Sequence, residues 1–287
     1  EIRRGDWSSD VCSSDLVLFS LVAVGGAANA LGGAGGPLAV LVLAIIAAEF
    51  GKLVSKKTKV DIIVTPLVTI FSGCGLAYLF APYIGTAASS VGNLIMLATT
   101  QQPFLMGILV SVIVGVALTL PISSAAICAA LGLTGLAGGA AVAGCCAQMI
   151  GFAVISFRDN GWGGFFAQGI GTSMLQVPNI IKNPRIWLAP TLASSVTGPI
   201  ATCIFGMQMN GAPISSGMGT CGLVGQIGVY TGWLNDITAG AKTAVTAMDW
   251  LGLVLICLVL PAVLYFVFDL IFRKIGWVKD GDMKIDA

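Results

Sequence analysis

Long apolar stretches without a single charged side chain dominate this sequence. No Asp, Glu, Lys or Arg occurs between Asp61 and Arg158, and a second charge-free run covers residues 186–235. Since a helix needs about 20 apolar residues to cross the hydrocarbon core of a bilayer, the first run alone has room for three or four crossings. Neither run shows the alternation of apolar and polar positions that membrane β-barrels have. The pattern therefore predicts an all-α, polytopic membrane helical bundle.

Breaks in the apolar pattern divide the chain into predicted helices. Full spans are predicted at residues 62–80, 104–130, 135–157, 187–207 and 250–272. Residues 17–31 and a segment that starts near Pro37 form two short spans or one broken helix, since proline suits the first helical turn. Residues 86–102 are polar enough to predict a loop or a short surface helix. Two further segments, 163–177 and 213–233, are short and rich in glycine, so hydropathy leaves open whether they cross the membrane or re-enter it.

These two glycine-rich segments carry matching motifs. Gly-Ile-Gly-Thr-Ser-Met-Leu at residues 169–175 is echoed by Gly-Met-Gly-Thr-Cys-Gly-Leu at 217–223. Interrupted apolar segments at corresponding positions of two repeats indicate a transporter's binding site, because glycine lets backbone amides approach a ligand. A pair of close helix contacts through small residues is the structural alternative. On the functional interpretation, which we favour, the cavity is shaped by Gly169, Gly171, Thr172, Gly217, Gly219 and Thr220.

Uncharged polar residues beside the motifs are the candidate ligands of the transported molecule. Gln176 and Asn179 follow the first motif, and Gln226 follows the second. Amide side chains donate and accept hydrogen bonds at once, which suits a polyhydroxylated ligand such as a sugar. Gln148 lies inside a predicted span, where a hydrogen bond between helices is the favoured interpretation.

Ionisable residues in the apolar regions are few. Glu49 is the only acidic residue in an apolar helix before Asp61, and it lies three positions from Lys52. We expect an ion pair between them at the membrane interface; a proton relay, as in a proton-coupled carrier, is the alternative. Asp269 and Arg273 are four positions apart, which predicts a pair on one helix.

The composition also narrows the chemistry. The chain of 287 residues contains no histidine, which removes the usual metal ligand, general base and phosphohistidine carrier. Its eight cysteines form no C-x-x-C pair, and it has no P-loop. With a net charge of +1 and no basic patch interleaved with aromatic residues, it shows no nucleic-acid site. We therefore predict no catalytic residue, metal site, cofactor or nucleic-acid partner in this chain.

The ends of the chain differ from its middle. Residues 1–16 contain six charges and a repeated Ser-Ser-Asp, and they resemble translated sequencing-adapter sequence. We expect this segment to be non-native; a natural cytoplasmic tail is the alternative. Residues 17–272 are then one transmembrane permease domain that lacks its natural beginning, and residues 273–287 are a basic cytoplasmic tail by the positive-inside rule. The same rule places the densest basic cluster in a cytoplasmic loop, at Lys52, Lys56, Lys57 and Lys59.

Four stretches together carry a family resemblance. They are residues 169–184 (GIGTSMLQVPNIIKNP), 190–195 (PTLASS), 198–201 (GPIA) and 217–228 (GMGTCGLVGQIG). In these stretches the chain resembles the type 2 integral-membrane IIC proteins of the phosphoenolpyruvate-dependent sugar phosphotransferase system, the group that includes the perfringolysin-regulator-like proteins. The resemblance extends from residue 17 to about residue 272.

The resemblance implies a multi-pass sugar permease of the bacterial cytoplasmic (inner) membrane. Its partners would be a sugar substrate, membrane lipid and separate cytoplasmic IIA and IIB proteins, of which IIB phosphorylates the sugar. Because IIC proteins do not carry the phosphate themselves, the missing histidine fits that role. IIC proteins are commonly dimers, so the resemblance suggests a homodimer. The regulator-like branch of the family supplies an alternative, a membrane sensor that binds a ligand without transporting it.

Overall fold

The computed structural model describes residues 20, 22–31, 36–54, 61–120, 123–279 and 281–285. The predicted non-native segment, residues 32–35 between the two predicted short spans, and Lys56, Lys57 and Lys59 lie outside these ranges. Helices without any β-strand make up the described part, which confirms the predicted all-α class. The chain divides into two compact units, residues 1–91 and 92–287.

The described part of the first unit consists of three apolar helices. They are α1 (Val22–Leu31), α2 (Gly36–Val54) and the first part of α3 (Asp61–Gln101). As predicted, α2 has Pro37 in its first turn, where the missing N–H of proline costs nothing. The core of this unit consists mainly of small side chains, which are Ala28, Ala39, Leu43, Ala77 and Ala81.

The helix α3 continues through the region that the sequence predicted as a loop or a short surface helix. That prediction, for residues 86–102, is wrong because the polar side chains are satisfied within the helix. The hydroxyl of Thr86 donates to the carbonyl of Pro82 at 2.8 Å, and that of Thr99 donates to the carbonyl of Ile95 at 2.7 Å. Such bonds to the preceding turn allow threonine to sit inside a long apolar helix.

The second unit contains the remaining helices. They are α4 (Pro103–Thr119), α5 (Ser124–Leu131), α6 (Gly135–Ile155), α7 (Phe157–Phe166), α8 (Val177–Lys182), α9 (Leu188–Pro199), α10 (Pro213–Ser216), α11 (Val224–Thr238), α12 (Ala247–Val254) and α13 (Leu260–Ile275). The single span predicted at residues 104–130 is therefore two helices. The helix α4 ends because Leu120, which precedes a proline, has extended backbone with φ −69° and ψ 156°.

The centre of the second unit is α6, which is buried along almost its whole length. The helices α4, α9 and α13 pack around it. A side-chain carbon added to Gly144 would collide with the backbone of Ser111 in α4, and one added to Gly151 would collide with the ring of Tyr265 in α13. The glycine-rich composition of α6 thus allows the close helix packing that is common in membranes.

Three helical stretches of the described chain are long and apolar enough to cross a membrane. They are Ile63–Gln101, Gly135–Ile155 and Ala247–Ile275. The last stretch consists of α12, a π-helical turn at Leu255–Val259 and α13, and it contains the predicted span at 250–272.

Candidate functional site

The first glycine-threonine motif interrupts the helical backbone. After α7 the chain forms a π-helical turn at Ala167–Gly171, one extended residue, Thr172 (φ −159°, ψ 139°), and a 3₁₀ turn at Ser173–Gln176. The hydroxyl of Thr172 accepts a hydrogen bond from the backbone N–H of Met174 at 3.1 Å and so caps the 3₁₀ turn. The predicted broken segment is confirmed at this motif. Single π turns inside helices are frequent at functional sites.

The second motif breaks the chain in a different way. The short helix α10 ends at Ser216, and a 3₁₀ turn at Cys221–Leu223 leads into α11. Gly219 and Gly222 have positive φ angles of 54° and 53°. Leu223 has φ 59° and is the only non-glycine residue with a positive φ in the described ranges. For leucine this conformation costs about 1–2 kcal/mol, and such strain clusters at functional sites.

The two motif copies touch each other beside α6. The Thr220 hydroxyl donates to the carbonyl of Gly169 at 2.6 Å, and a side chain on Gly219 would collide with the peptide between Cys145 and Cys146. Cys145 lies ten residues along the 21-residue helix α6, which is about 15 Å along a helix of roughly 31 Å. The junction of the motifs therefore lies near the middle of the bundle.

The other predicted residues of the two motifs, and Gln226 beside them, surround this junction or face away from it. The Gln226 side-chain amide is oriented so that both its oxygen and its nitrogen have hydrogen-bond partners. Its nitrogen then donates to the carbonyls of Gly219 at 3.1 Å and Leu223 at 3.3 Å. Gly171 is exposed and has open space in front of its α-carbon. The carbonyl of Gly217 instead accepts from the Ser124 hydroxyl of α5 at 2.6 Å.

Gln176 and Asn179 belong to a separate cluster, which the sequence did not predict. The Gln176 amide nitrogen donates to the Gln168 side-chain oxygen and to the carbonyl of Met283, both at 3.0 Å. Asn179 donates to the Gln176 oxygen and to the carbonyl of Lys284, both at 2.9 Å. These amides are buried, and they hold the C-terminal segment of the chain against the end of the bundle.

Further contacts fix the same C-terminal segment. The Asp159 carboxylate accepts from the backbone N–H groups of Gly281 at 3.1 Å and Met283 at 3.3 Å. The Asn160 oxygen accepts from the N–H of Ile285 at 2.8 Å, and the Met283 side chain is fully buried. The tail makes these hydrogen bonds through its backbone groups. Because every residue has such groups, the residue types of the tail do not reveal the contact.

The interpretation of Gln148 as a link between helices is confirmed. Its oxygen accepts from the Thr119 hydroxyl of α4 at 3.2 Å and from the Trp187 indole N–H at 3.3 Å. Its nitrogen donates to the Ser194 hydroxyl of α9 at 3.4 Å. The Thr119 hydroxyl is also 3.1 Å from that of Ser173, which connects this network to the first motif.

Both predicted ion pairs are present. Lys52 contacts Glu49 at 2.7 Å, and both side chains are more than half exposed, so Glu49 is an exposed ion-pair partner. Arg273 contacts Asp269 at 2.7 Å on α13.

A polar cavity at the N-terminal end of α6 was also missed by the sequence reasoning. It has a volume of about 490 Å³, and its walls include Asn210, Trp233, Asp236, Lys242 and Asp249. Three charged residues within fourteen positions of an otherwise apolar region were the signal that could have revealed it. Among the described residues, no group of three His, Cys, Asp or Glu side chains is arranged to hold a metal ion.

Discontinuous helices that meet near the middle of an apolar bundle are typical of membrane transporters. Comparison with protein-family models matches residues 12–285 to the family described as "Phosphotransferase system, EIIC". The chain therefore belongs to the EIIC family and is a permease component of a sugar phosphotransferase system, as the motif stretches predicted. The family implies a sugar substrate and cooperation with IIA and IIB proteins. No curated protein and no solved structure matches the chain.

Proposed function

We propose that the chain is a multi-pass protein of the bacterial inner membrane that passes its sugar through the junction of the two glycine-threonine motifs. The contact between Thr220 and Gly169 beside the middle of α6 carries this proposal. Transporters bind their substrates near the bilayer midplane between broken helices, where backbone groups are free to contact the ligand.

We assign the predicted residues to two parts of the path. The junction is formed by backbone and small side chains of Gly169, Gly171, Thr172, Gly217, Gly219 and Thr220. Gln226 orders the second motif through Gly219 and offers its amide to sugar hydroxyls. Gln176 and Asn179 lie at the end of the path, where they bind the carbonyls of Met283 and Lys284. These two amides become available to a sugar when the tail withdraws.

The distribution of basic residues supports an orientation with the tail in the cytoplasm. Seven of the eight Lys and Arg residues after residue 91 lie at the end of the second unit that holds the tail. They are Arg158, Lys182, Arg185, Arg273, Lys274, Lys279 and Lys284. By the positive-inside rule this end faces the cytoplasm, where IIA and IIB proteins operate.

We also propose that the protein works as a homodimer surrounded by lipid, in keeping with the resemblance to IIC proteins. Cross-linking in native membranes, followed by mass determination of the solubilised protein, tests this assembly. A protein that remains a monomer under both conditions overturns the dimer and leaves the permease function standing.

Gly171 offers a direct test of the junction. Its α-carbon faces open space, so a Gly171→Leu substitution adds bulk to the path without displacing a neighbour. Gly163→Leu is the matched control, because that glycine also faces open space but lies in α7, outside the motif. The measurement is uptake and phosphorylation of radiolabelled sugars in cells that lack other permeases and are supplied with IIA and IIB proteins.

We expect Gly171→Leu to abolish saturable uptake at an unchanged protein level, and Gly163→Leu to retain it. Normal uptake by Gly171→Leu rejects the junction as the path. Sugar binding by the purified wild-type protein without any flux into liposomes or cells would instead favour the membrane sensor.

A further inference from the structure

The cavity at the N-terminal end of α6 is a concave polar feature of the second unit. Its volume of about 490 Å³ falls within the range of small-molecule sites, roughly 300–1,000 Å³. The backbone N–H of Gly135, the first residue of α6, donates to the carbonyl of Met209 and to the Asn210 side chain, at 3.0 and 3.1 Å. The cavity is therefore at the opposite end of α6 from the tail.

Hydrogen bonds hold the polar side chains of this cavity in fixed positions. The Asn210 amide nitrogen lies 2.9 Å from both carboxylate oxygens of Asp236 and 3.2 Å from the Gln208 oxygen. Lys242 contacts Asp249 at 2.6 Å, and its ammonium lies 5.3 Å from the centre of the Trp233 ring. Preorganised groups of this kind reduce the cost of ordering side chains when a ligand binds.

These groups retain hydrogen-bonding capacity for a ligand. A carboxylate has about four lone-pair positions and an ammonium group has three N–H donors. Asp236 uses its oxygens for one donor group, and Lys242 has one carboxylate contact among the described residues. Trp233, Met248 and Leu253 add apolar surface to the same walls. Polar groups that converge beside an aromatic ring suit a hydroxylated molecule with apolar faces, as sugars have.

The charges of the lining select among sugars. Two carboxylates, those of Asp236 and Asp249, face one ammonium group, that of Lys242, so the cavity carries a net charge of −1. A ligand with its own negative charge is repelled in such a partly enclosed site, because Coulomb interactions strengthen away from bulk water. A neutral hydroxyl group can donate to the carboxylates, and an ammonium group is attracted to them.

We propose that this cavity is a sugar-recognition site that takes neutral or amino sugars and rejects uronic acids and sugar phosphates. This inference rests on the proposed permease function and adds a second site to it, at the end of the bundle opposite the seven basic residues beside the tail. An unphosphorylated sugar is then recognised at the acidic end, while the phosphorylated product forms at the end rich in Lys and Arg. The opposite charges of the two ends disfavour the product's return to the acidic cavity.

Binding by purified protein in lipid nanodiscs tests this site. The probes are glucose, galactose, mannitol, glucosamine, glucuronate and glucose 6-phosphate, and the readout is titration calorimetry together with the fluorescence of the tryptophans beside the cavity. Asp236→Asn removes one charge at nearly constant shape, and Gln208→Ala removes an exposed amide that carries no core packing. Thr238→Val is the matched control on α11, since the Thr238 hydroxyl donates to the carbonyl of Asn235 one turn earlier, at 2.8 Å, and contacts no cavity residue named above.

We expect at least one neutral or amino sugar to bind, with glucuronate and glucose 6-phosphate at least tenfold weaker. Asp236→Asn is expected to lower the affinity for that sugar at least tenfold and Gln208→Ala about threefold. Thr238→Val is expected to bind it with wild-type affinity. The elution profile and the tryptophan emission show whether Asp236→Asn folds. If it does not fold, the affinities of Gln208→Ala and Asp249→Asn decide instead. Tighter binding of an anionic sugar than of its neutral counterpart overturns the charge selection.

The failure of this site and the failure of the permease function give different results. If Asp236→Asn, Gln208→Ala and Asp249→Asn all keep wild-type affinity and uptake, the cavity is not a sugar-recognition site, although the protein still transports sugar. Absence of uptake and phosphorylation of every probe by the wild-type protein, with IIA and IIB proteins present, overturns the permease function on which the inference rests.

Discussion

The hydroxyl of Thr220 donates a 2.6 Å hydrogen bond to the backbone carbonyl of Gly169, 51 residues earlier in the chain. Each residue belongs to one copy of the glycine-threonine motif, so a single bond joins the two copies. Both atoms are buried beside α6. Such a bond fixes the distance between two irregular segments that have few regular backbone hydrogen bonds of their own.

Substitution of Thr220 by valine should loosen this junction. Valine keeps the shape of threonine but leaves the Gly169 carbonyl without its donor, which typically costs about 1–3 kcal/mol for a buried group. We expect lower thermal stability in detergent and at least tenfold slower sugar uptake. Thr238→Val is the control, since it removes an exposed hydroxyl that, among the described residues, bonds only to Asn235 on the same helix. Equal uptake by both variants would contradict the role of the bond.

Glycine at the centre of α6 should be intolerant of even a methyl group. A side-chain carbon on Gly144 would overlap the backbone of Ser111, so Gly144→Ala forces α4 and α6 apart. Overpacking of this kind costs about 1–3 kcal/mol. At Gly163, which faces open space in α7, the same substitution should be neutral or stabilise by up to about 1 kcal/mol through helix propensity. Thermal unfolding in detergent compares the two variants, and equal midpoints would contradict the tight α4 and α6 contact.

The fold was predictable where one physical signal dominated. The 96 positions between Asp61 and Arg158 carry no charge and show no alternation of apolar and polar residues, so they predict membrane helices. The boundaries were less predictable, because local polarity misled the assignment at residues 86–102. There the hydroxyls of Thr86 and Thr99 bond within α3 and need no loop. Hydropathy averages over such bonds and does not record them.

The site was predictable only in part, for a related reason. Repetition of glycine and threonine pointed to two interrupted segments, and both are interrupted as predicted. Gln176 and Asn179 looked equivalent to Gln226 in the sequence, yet they bind backbone carbonyls of the C-terminal segment. Contacts between a side chain and a distant backbone depend on tertiary placement, which residue types alone do not encode. The polar cavity beside Asp236 was overlooked because its residues come from α11, from α12 and from two connecting segments, which only the tertiary fold brings together.

Replacement of Gln148 by leucine tests the network that joins α4, α6 and α9. The change removes hydrogen bonds to Thr119, Trp187 and Ser194. At roughly 0.6 kcal/mol for each bond between membrane helices, the loss is about 2 kcal/mol. The Trp187 indole should also shift its fluorescence, because its N–H loses its acceptor. Gln148→Glu keeps an oxygen acceptor for Trp187 and serves as the comparison. Unchanged stability and emission in the leucine variant would contradict the network.

The docked tail gives a prediction in which two neighbouring residues should behave differently. Met283 is fully buried among the apolar residues at the end of the bundle, whereas the side chain of Lys284 is exposed and its carbonyl makes the contact with Asn179. Met283→Ala should therefore destabilise the docked tail by about 2–5 kcal/mol, the usual range for a buried methionine. Lys284→Ala keeps the carbonyl and should leave docking unchanged.

Hydrogen exchange of the tail amides measures this difference directly. The N–H groups of Met283 and Ile285 donate to Asp159 and Asn160, so they exchange only when the tail opens. A loss of about 2 kcal/mol corresponds to roughly thirtyfold faster exchange, and a larger loss to a larger factor. We expect this acceleration in Met283→Ala, while amides in α6 stay protected. Equal exchange in Met283→Ala and Lys284→Ala would mean that the buried methionine does not hold the tail.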